Sequence, residues 1–430
     1  MVKGKVGTWC LVILPRRGLA ASYSSELKSV IGHLDIPIET FYSGTGFEIS
    51  SRKVIRILTP RALLEILAQP RWPVALKALR LVICENLDLL DADYELAVSL
   101  LLSAAQNASI RFVGLSASLS DASGLADWLR VPAHALCCFR PSDREQDLRT
   151  IVQSFTIPHS GVLFKAMSKP AHTAISSSAG EPTIVFVPSR AQCKSIANDL
   201  VTRCLMDLKM QGYLPSTTSS GSLDIYLYRL QDQSLFDFIT RGIGIYHDGL
   251  TRPDRALVLE MYAEGILKVL IVPRESMWSV PFRAGVVIVM GTQYVRLNGP
   301  KEKMDRQVKD YSLSELVYMQ GRAVRHAQSG KFYLFCQAEH AETLTRFLNE
   351  GLPLESSLPD SSTLQNWLQD AWRRRTFLSA DKQATLDMLS WTYLAGRMES
   401  NPVYYNVDPN DTEMSYSRFV DQLHDIGGTY

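Results

Sequence analysis

The residues of this chain that could do chemistry sit at the ends of short apolar runs. The clearest run is Leu79–Cys84, followed by Glu85-Asn86-Leu87-Asp88. In nucleotide-hydrolysing α/β folds, an acid at such a strand end holds a magnesium ion and a neighbouring Glu orients the attacking water. Glu85 suits the second part. Cys84 stands in the first, and a thiol is a poor ligand for a hard, oxygen-seeking ion. Asp88, four residues on, would need a rearranged loop to take over. Taken alone, Cys84 reads as a small, buried strand-end residue. Arg322 and Arg325 stand three apart in Gln320-Gly321-Arg322-Ala323-Val324-Arg325. No GxxxxGK[ST] loop, which would cradle phosphates, occurs in these residues.

Strands must carry these groups. Runs at Thr8–Leu14, Val54–Leu58, Leu79–Cys84 and Arg111–Leu115 alternate with helices predicted over Ser22–Gly32, from Thr59-Pro60, and over Asp93–Ala105. Phe139–Ser178, with Pro141, Pro158, Pro170 and a serine-rich end, reads as a domain connection. A second α/β unit follows, with strands at Thr183–Val187, Gly244–Tyr246, Val269–Val272, Val286–Met290 and Lys331–Cys336. Within it, Gly212–Gly221 reads as a mobile surface loop. After Gly351 the pattern turns helical, over Ser362–Arg374, Ser379–Trp391 and Ser415–Asp425. Trp367, Trp372, Trp391 and Tyr393 recur near helical spacing and read as core.

With 430 residues the chain is too long for one ordinary core. A net charge of +1 excludes a binder driven by global cationic charge, so any nucleic-acid contact must come from local basic patches. The seven cysteines form no CxxC pair, which gives neither a zinc spacing nor a disulfide framework. Trp9-Cys10-Leu11-Val12-Ile13-Leu14 is too short for a membrane span and reads as a buried strand, so no membrane partner is expected.

The motifs fall in a fixed order: Pro15-Arg16-Arg17-Gly18, Thr59-Pro60-Arg61, the strand ending in Cys84-Glu85, Ser116-Ala117-Ser118, Pro188-Ser189-Arg190, Tyr246-His247-Asp248-Gly249, Val272–Pro281 and the arginine pair at 322 and 325. As an ordered set they resemble a superfamily 2 RNA helicase of the Ski-like group, over nearly the whole chain. Phe155–Ile175, Leu352–Ser356 and Trp391-Thr392-Tyr393 with Asn401–Asn406 resemble the second cassette of the two-cassette spliceosomal helicases of the U-five small nuclear ribonucleoprotein. The matching cassette of the two-cassette helicase in the activating signal cointegrator complex is the alternative relative.

The resemblance implies two RecA-like parallel-sheet domains, the first N-terminally incomplete, and then a small winged-helix module. The expected boundaries are 1–140, a connection at 141–180, a second domain at 181–350, the module at 351–407 and the start of a helical region at 408–430. The family binds nucleotide between the two RecA-like domains and RNA along loops at the strand ends, which correspond here to Arg16, Arg17, Thr59, Arg61, Ser189, Arg190 and His247. Its metal-binding acid corresponds to Cys84, its His to Leu87, and its sixth-motif Gln and Gly to Tyr318 and Val324. Pro273 stands where a fifth-motif Thr would couple RNA to nucleotide. Glu85, Arg322 and Arg325 keep the family pattern, and both arginines are expected in interdomain salt bridges. Tyr294–Tyr311 corresponds to the family's strand-separating hairpin and carries the turn signal Asn298-Gly299, yet its charge favours an exposed excursion. The expected function is a hydrolytically silent cassette in the nucleus, a scaffold for spliceosomal proteins and a regulator of an active cassette, with possible RNA contact. No metal or cofactor is expected; ATP with magnesium would enter only if a Walker A loop preceded residue 1. The alternatives are an RNA-dependent ATPase with that loop upstream, or a nucleotide-independent RNA-binding module.

Overall fold

A computed structural model describes residues 7–158, 160–178, 180–216, 218, 220–298, 305–325, 328–360, 362–374 and 382–408. Met1–Arg140 together with Gly351–Tyr430 make one compact unit, and Pro141–Glu350 makes a second.

The first unit runs β1 (Trp9–Ile13), α1 (Arg17–Ile31), β2 (Ile38–Phe41), β3 (Val54–Leu58), α2 (Pro60–Leu67), α3 (Trp72–Leu76), β4 (Leu79–Cys84), α4 (Ala92–Ala105), β5 (Arg111–Gly114) and α5 (Ser123–Trp128). Its five strands are all parallel, in the order β2-β3-β1-β4-β5. Central strands of such sheets are covered on both faces, which is why β1, β3 and β4 are apolar runs. Because every strand points the same way, the segments after them gather at one edge. That edge receives Arg16 and Arg17 after β1, Thr59 and Arg61 after β3, Glu85 after β4 and Leu115–Ala117 after β5. β2 was not predicted: it is an edge strand of half-buried residues, Ile38-Glu39-Thr40-Phe41, without the apolar run of a central strand. α1 begins at Arg17, five residues before the predicted start, so Arg17 lies in its first turn.

The second unit runs β6 (Leu148–Phe155), α6 (Gly161–Ser176), β7 (Thr183–Val187), α7 (Arg190–Met206), α8 (Ser220–Arg229), α9 (Phe236–Ile239), β8 (Ile243–Ile245), α10 (Arg252–Ala263), β9 (Val269–Pro273), β10 (Val286–Met290), β11 (Gln293–Asn298), β12 (Asp305–Asp310), α11 (Leu313–Gly321), β13 (Gly330–Gln337) and α12 (Ala341–Glu350). Six parallel strands form the sheet β6-β13-β10-β7-β9-β8. β7, β9 and β10 are buried at every position.

One expectation is corrected here. The segment 141–180, read as a connection, carries β6 and α6 of this unit. β6 is an edge strand with a mixed sequence, and Pro170 lies inside α6 instead of breaking it. Tyr294–Tyr311 forms an antiparallel hairpin of β11 on β12, with Tyr294 opposite Lys309 and the exposed Val295 opposite the exposed Val308. Its tip at 299–304 lies outside the described residues. So does part of the predicted surface loop, at 217 and 219; Ser220 and Gly221 already belong to α8.

Three helices follow: α13 (Ser362–Arg374), α14 (Lys382–Leu389) and α15 (Tyr393–Ser400). Among the described residues no strand follows β13. Leu358, Leu364, Leu389, Tyr393 and Leu394 join the core that contains β1, β4 and α4. Trp391 and Trp367 pack on that core at partial burial, and Tyr393 is buried within it. The side chain of Trp372, and the helix predicted over Ser415–Asp425, lie outside what is described.

Glu95 of α4 ties this segment down. Its carboxylate accepts from Ser356 Oγ at 2.6 Å and from the Leu394 N–H, in the first turn of α15, at 2.8 Å. Trp128 Nε1 donates to the Trp391 carbonyl at 3.0 Å, and Arg130 lies 4.0 Å over the Trp391 ring.

Candidate nucleotide and nucleic-acid sites

At the edge of the first sheet, β4 delivers Cys84 with no solvent exposure. Burial pushes its thiol up to about 12, so it is neutral near pH 7, and only the thiolate is a good metal ligand. Asn86 takes the left-handed conformation, φ 52°, which Asn tolerates better than most residues. The turn it makes sends Leu87 into the core, where its side chain packs over Gly114. Asp88 is also buried, and its Oδ1 accepts from the Ala117 N–H at 2.9 Å. That bond joins the 84–90 segment to Ser116-Ala117-Ser118 and turns Asp88 inward. A neutral thiol and an inward carboxylate do not fit an octahedral magnesium ion, which takes oxygen donors. Among the described residues no group of three His, Cys, Asp or Glu side chains is placed to hold a metal.

Glu85 keeps a partner that its sequence context did not disclose. Tyr23 of α1 donates to its carboxylate, while burial, the larger influence, raises the Glu85 pKa. Tyr94 of α4 braces the same turn from beneath, its hydroxyl donating to the Glu85 carbonyl at 2.9 Å.

The nucleic-acid candidates of this unit share the edge but not one environment. Arg16 pairs with Asp91 at 2.7 Å, and Asp91 in turn caps α4 through the Tyr94 N–H. Arg17 lies 5.7 Å from the Tyr42 ring centre. Thr59 is buried at the N-cap of α2. Arg61 extends into solvent with only a loose contact, 3.8 Å, to Glu65.

The second unit has candidates at both edges of its sheet. Ser189 and Arg190 follow β7, His247 follows β8, and Arg274 and Glu275 follow β9, so these lie at the carboxyl ends of the strands. Arg190 is ion-paired to Glu275. Ser189 Oγ donates to Gln192 at 3.0 Å. His247 Nδ1 accepts from the Gly249 N–H at 3.1 Å, and burial together with nearby Arg190 pushes the His247 pKa below its ordinary value. A neutral imidazole and a compensated guanidinium lower the positive charge there, while Lys194 stays within electrostatic reach of His247.

Arg322 and Arg325 precede β13, which puts them at the amino-terminal edge of the sheet. Each has a partner within its own unit. Arg325 Nη1 meets Glu181, just before β7 of the same unit, at 2.9 Å, and Nη2 donates to the Ser329 carbonyl at 2.7 Å. A Cβ at Gly285 would collide with this pair. Arg322 hydrogen-bonds the Tyr318 hydroxyl and lies 4.6 Å over the same ring, which itself packs on Trp278 at 4.3 Å. The reason is spacing: on a helix, residues 318 and 322 share one face.

One turn earlier on α11, Arg274 Nη2 pairs with Glu315 at 2.5 Å, and its guanidinium lies 3.8 Å from the centre of the Tyr294 ring at the base of the hairpin. Sequence reasoning missed Tyr23, Trp278, Glu181, Glu275 and Arg274. Each is an ordinary residue type made important by a partner distant in the chain.

Residues 2–124 match the DEAD/DEAH box helicase family. The human U5 small nuclear ribonucleoprotein 200 kDa helicase is 34% identical over 322 residues, which is 74% of this chain and 14% of that protein. The Drosophila melanogaster protein of the same name is 29% identical over 412 residues, 93% of this chain and 18% of that one. The Schizosaccharomyces pombe pre-mRNA-splicing factor brr2 is 32% identical over 353 residues, 79% and 15%. The chain spans less than a fifth of the length of these relatives. Residues 2–124 thus carry a DEAD/DEAH box helicase domain, and the chain is a homologue of part of the 200 kDa helicases of the U5 small nuclear ribonucleoprotein.

Proposed function

We propose that this chain is a hydrolytically silent helicase cassette, of the second-cassette type, that serves pre-mRNA splicing in the nucleus as a protein scaffold and as regulator of an active cassette. The observation that carries this reading is Cys84: a buried, neutral thiol at the strand end where a magnesium-binding acid would stand. Arg322, folded onto Tyr318, supports it from an independent direction. In this reading 1–140 and 141–350 carry the RecA-like domains, the second including β6 and α6, 351–407 is a winged-helix module and 408–430 begins a further helical region. Spliceosomal proteins and an active helicase cassette are the partners.

The test is magnesium-nucleotide binding with hydrolysis measured in the same sample, with and without RNA. The expected result is no turnover above background. RNA-stimulated turnover that depends on Glu85 would overturn the reading.

One observation favours a second reading, an RNA-dependent ATPase whose phosphate loop is supplied outside these residues: Glu85 is retained and held by Tyr23. RNA binding without nucleotide would use Arg16, Arg17, Thr59, Arg61, Ser189, Arg190 and His247. It would appear as affinity that falls steeply with salt.

A further inference from the structure

In the second unit α6 and α7 run side by side in the same direction. His172 of α6 meets Cys204 and Asp207 at the end of α7, and seven residues earlier Lys165 lies within electrostatic reach of Asp199. Where α7 ends, four large apolar side chains stand in solvent within six residues. Leu205 is 43% exposed, Met206 69%, Leu208 83% and Met210 72%. Single exposed apolar residues need no explanation; a contiguous group does.

Leu205 and Met206 end α7, and the turn that follows, carrying Leu208 and Met210, is held at both ends by one imidazole. His172 Nε2 meets Asp207 Oδ2 at 2.8 Å, and Nδ1 meets the Tyr213 hydroxyl at 2.6 Å. Between these anchors the Lys209 N–H donates to the Cys204 carbonyl at 2.8 Å. Leu208 sits at φ 58°, a conformation that side-chain-bearing residues rarely adopt. Gly212, at φ 64°, passes so close to Arg241 that a Cβ would meet its carbonyl oxygen at 2.6 Å. The apolar side chains are therefore presented by a fixed turn, which lowers the ordering cost of binding. Beside them lie the cations Arg203 and Lys209, both within electrostatic reach of the one neighbouring carboxylate, Asp207, which is itself paired with His172.

We propose that this surface docks an amphipathic helix of another protein, with aliphatic anchors on one face and acidic residues along its flanks. The inference rests on the scaffold reading and deepens it by naming the surface and the partner's chemistry. What the group offers at this helix end is side chains, so a partner is gripped through them, as when a helix lays its apolar face on an apolar surface. Two methionines suit that mode, because a flexible, polarisable side chain adapts to its partner's shape. The basic surround selects acidic flanks and steers encounter.

The test uses the full 430-residue chain and a fluorescein-labelled helical peptide of about 15 residues, with leucines on one face and glutamates on the other. A matched peptide with lysines for glutamates is the control. Saturable anisotropy with the acidic peptide alone is expected. Leu208→Glu with Met210→Glu should weaken it at least about tenfold. Leu208→Gly should also weaken it while folding at least as well, because glycine favours the positive φ. Absence of saturable binding, or equal binding by wild type and both variants, would overturn the proposal. So would concentration-dependent self-association that Leu208→Gly abolishes, which would assign the surface to a second copy. Hydrolysis assayed in the same preparation separates the two ideas. Turnover with peptide binding intact removes only the silent-cassette reading, and lost binding without turnover removes only this surface.

Discussion

Position 84 decides more by its surroundings than by its own chemistry. The thiol is fully buried, with Glu85 beside it and Leu87 turned inward over Gly114. A carboxylate placed there would be desolvated next to another carboxylate, so Cys84→Asp should cost about 3 kcal/mol in urea unfolding and restore no hydrolysis. Measurable turnover from that single change would show the other substitutions to be harmless. Thiol reactivity follows the same burial. Exposed Cys137 and Cys138 should react with Ellman's reagent in the native protein, whereas Cys84, Cys193 and Cys204 should react only on unfolding. Native-state modification of Cys84, read by mass spectrometry, would contradict the packing. That Cys84 is a buried strand-end residue was legible from the apolar run before it. The hold of Tyr23 on Glu85 was not, because a contact between α1 and the end of β4 leaves no local pattern.

At the scale of elements, α4 and α11 each carry a row of partners. On α11, Glu315 holds Arg274, and one turn on Tyr318 receives both Trp278 and Arg322. Replacing the ring by Tyr318→Ala should free Arg322. Its modification by phenylglyoxal, followed by mass spectrometry, should then quicken several-fold; an unchanged rate would mean the ring does not shield it. On α4, burial lifts Glu95 from 4.5 to about 7. Below about pH 4.5 the group is neutral folded or unfolded. Between 4.5 and 7 the folded chain keeps a proton the unfolded chain has lost, so stability falls as pH rises, by on the order of 3 kcal/mol once pH exceeds 7. Glu95→Gln should flatten that slope and be the more stable protein at pH 8, as read by denaturant melts at several pH values. The interior strands were legible because burial on both faces makes them continuously apolar, as in Val286–Met290. The edge strands Ile38–Phe41 and Leu148–Phe155 were not, since half-burial mixes polar residues into the run.

At the scale of the molecule, the second unit is contiguous in sequence, while the first is closed by residues from the far end of the chain. Pro141–Glu350 made alone should melt cooperatively, since its sheet and covering helices are complete within those bounds. Met1–Arg140 made alone lacks Leu358, Leu364, Leu389, Tyr393 and Leu394, and should show no cooperative transition by calorimetry. A sharp melt of that fragment would mean the carboxyl-terminal helices are dispensable to the core. The ordered motifs made both sheets legible. That the helices after Gly351 complete the first core was not, because an apolar helix face does not specify which distant helices, here α4 and α5, it will cover.

This closure sets an order of events on the ribosome. Leu394, whose N–H meets Glu95, is made 299 residues after it. At about 5–20 residues per second, that is a wait of roughly 15–60 s. During it, the second unit can finish folding while the first, begun earlier, still lacks its cover. The nascent first unit therefore presents bare apolar surface for that whole interval, and its dependence on chaperones during synthesis should exceed that of the unit made after it.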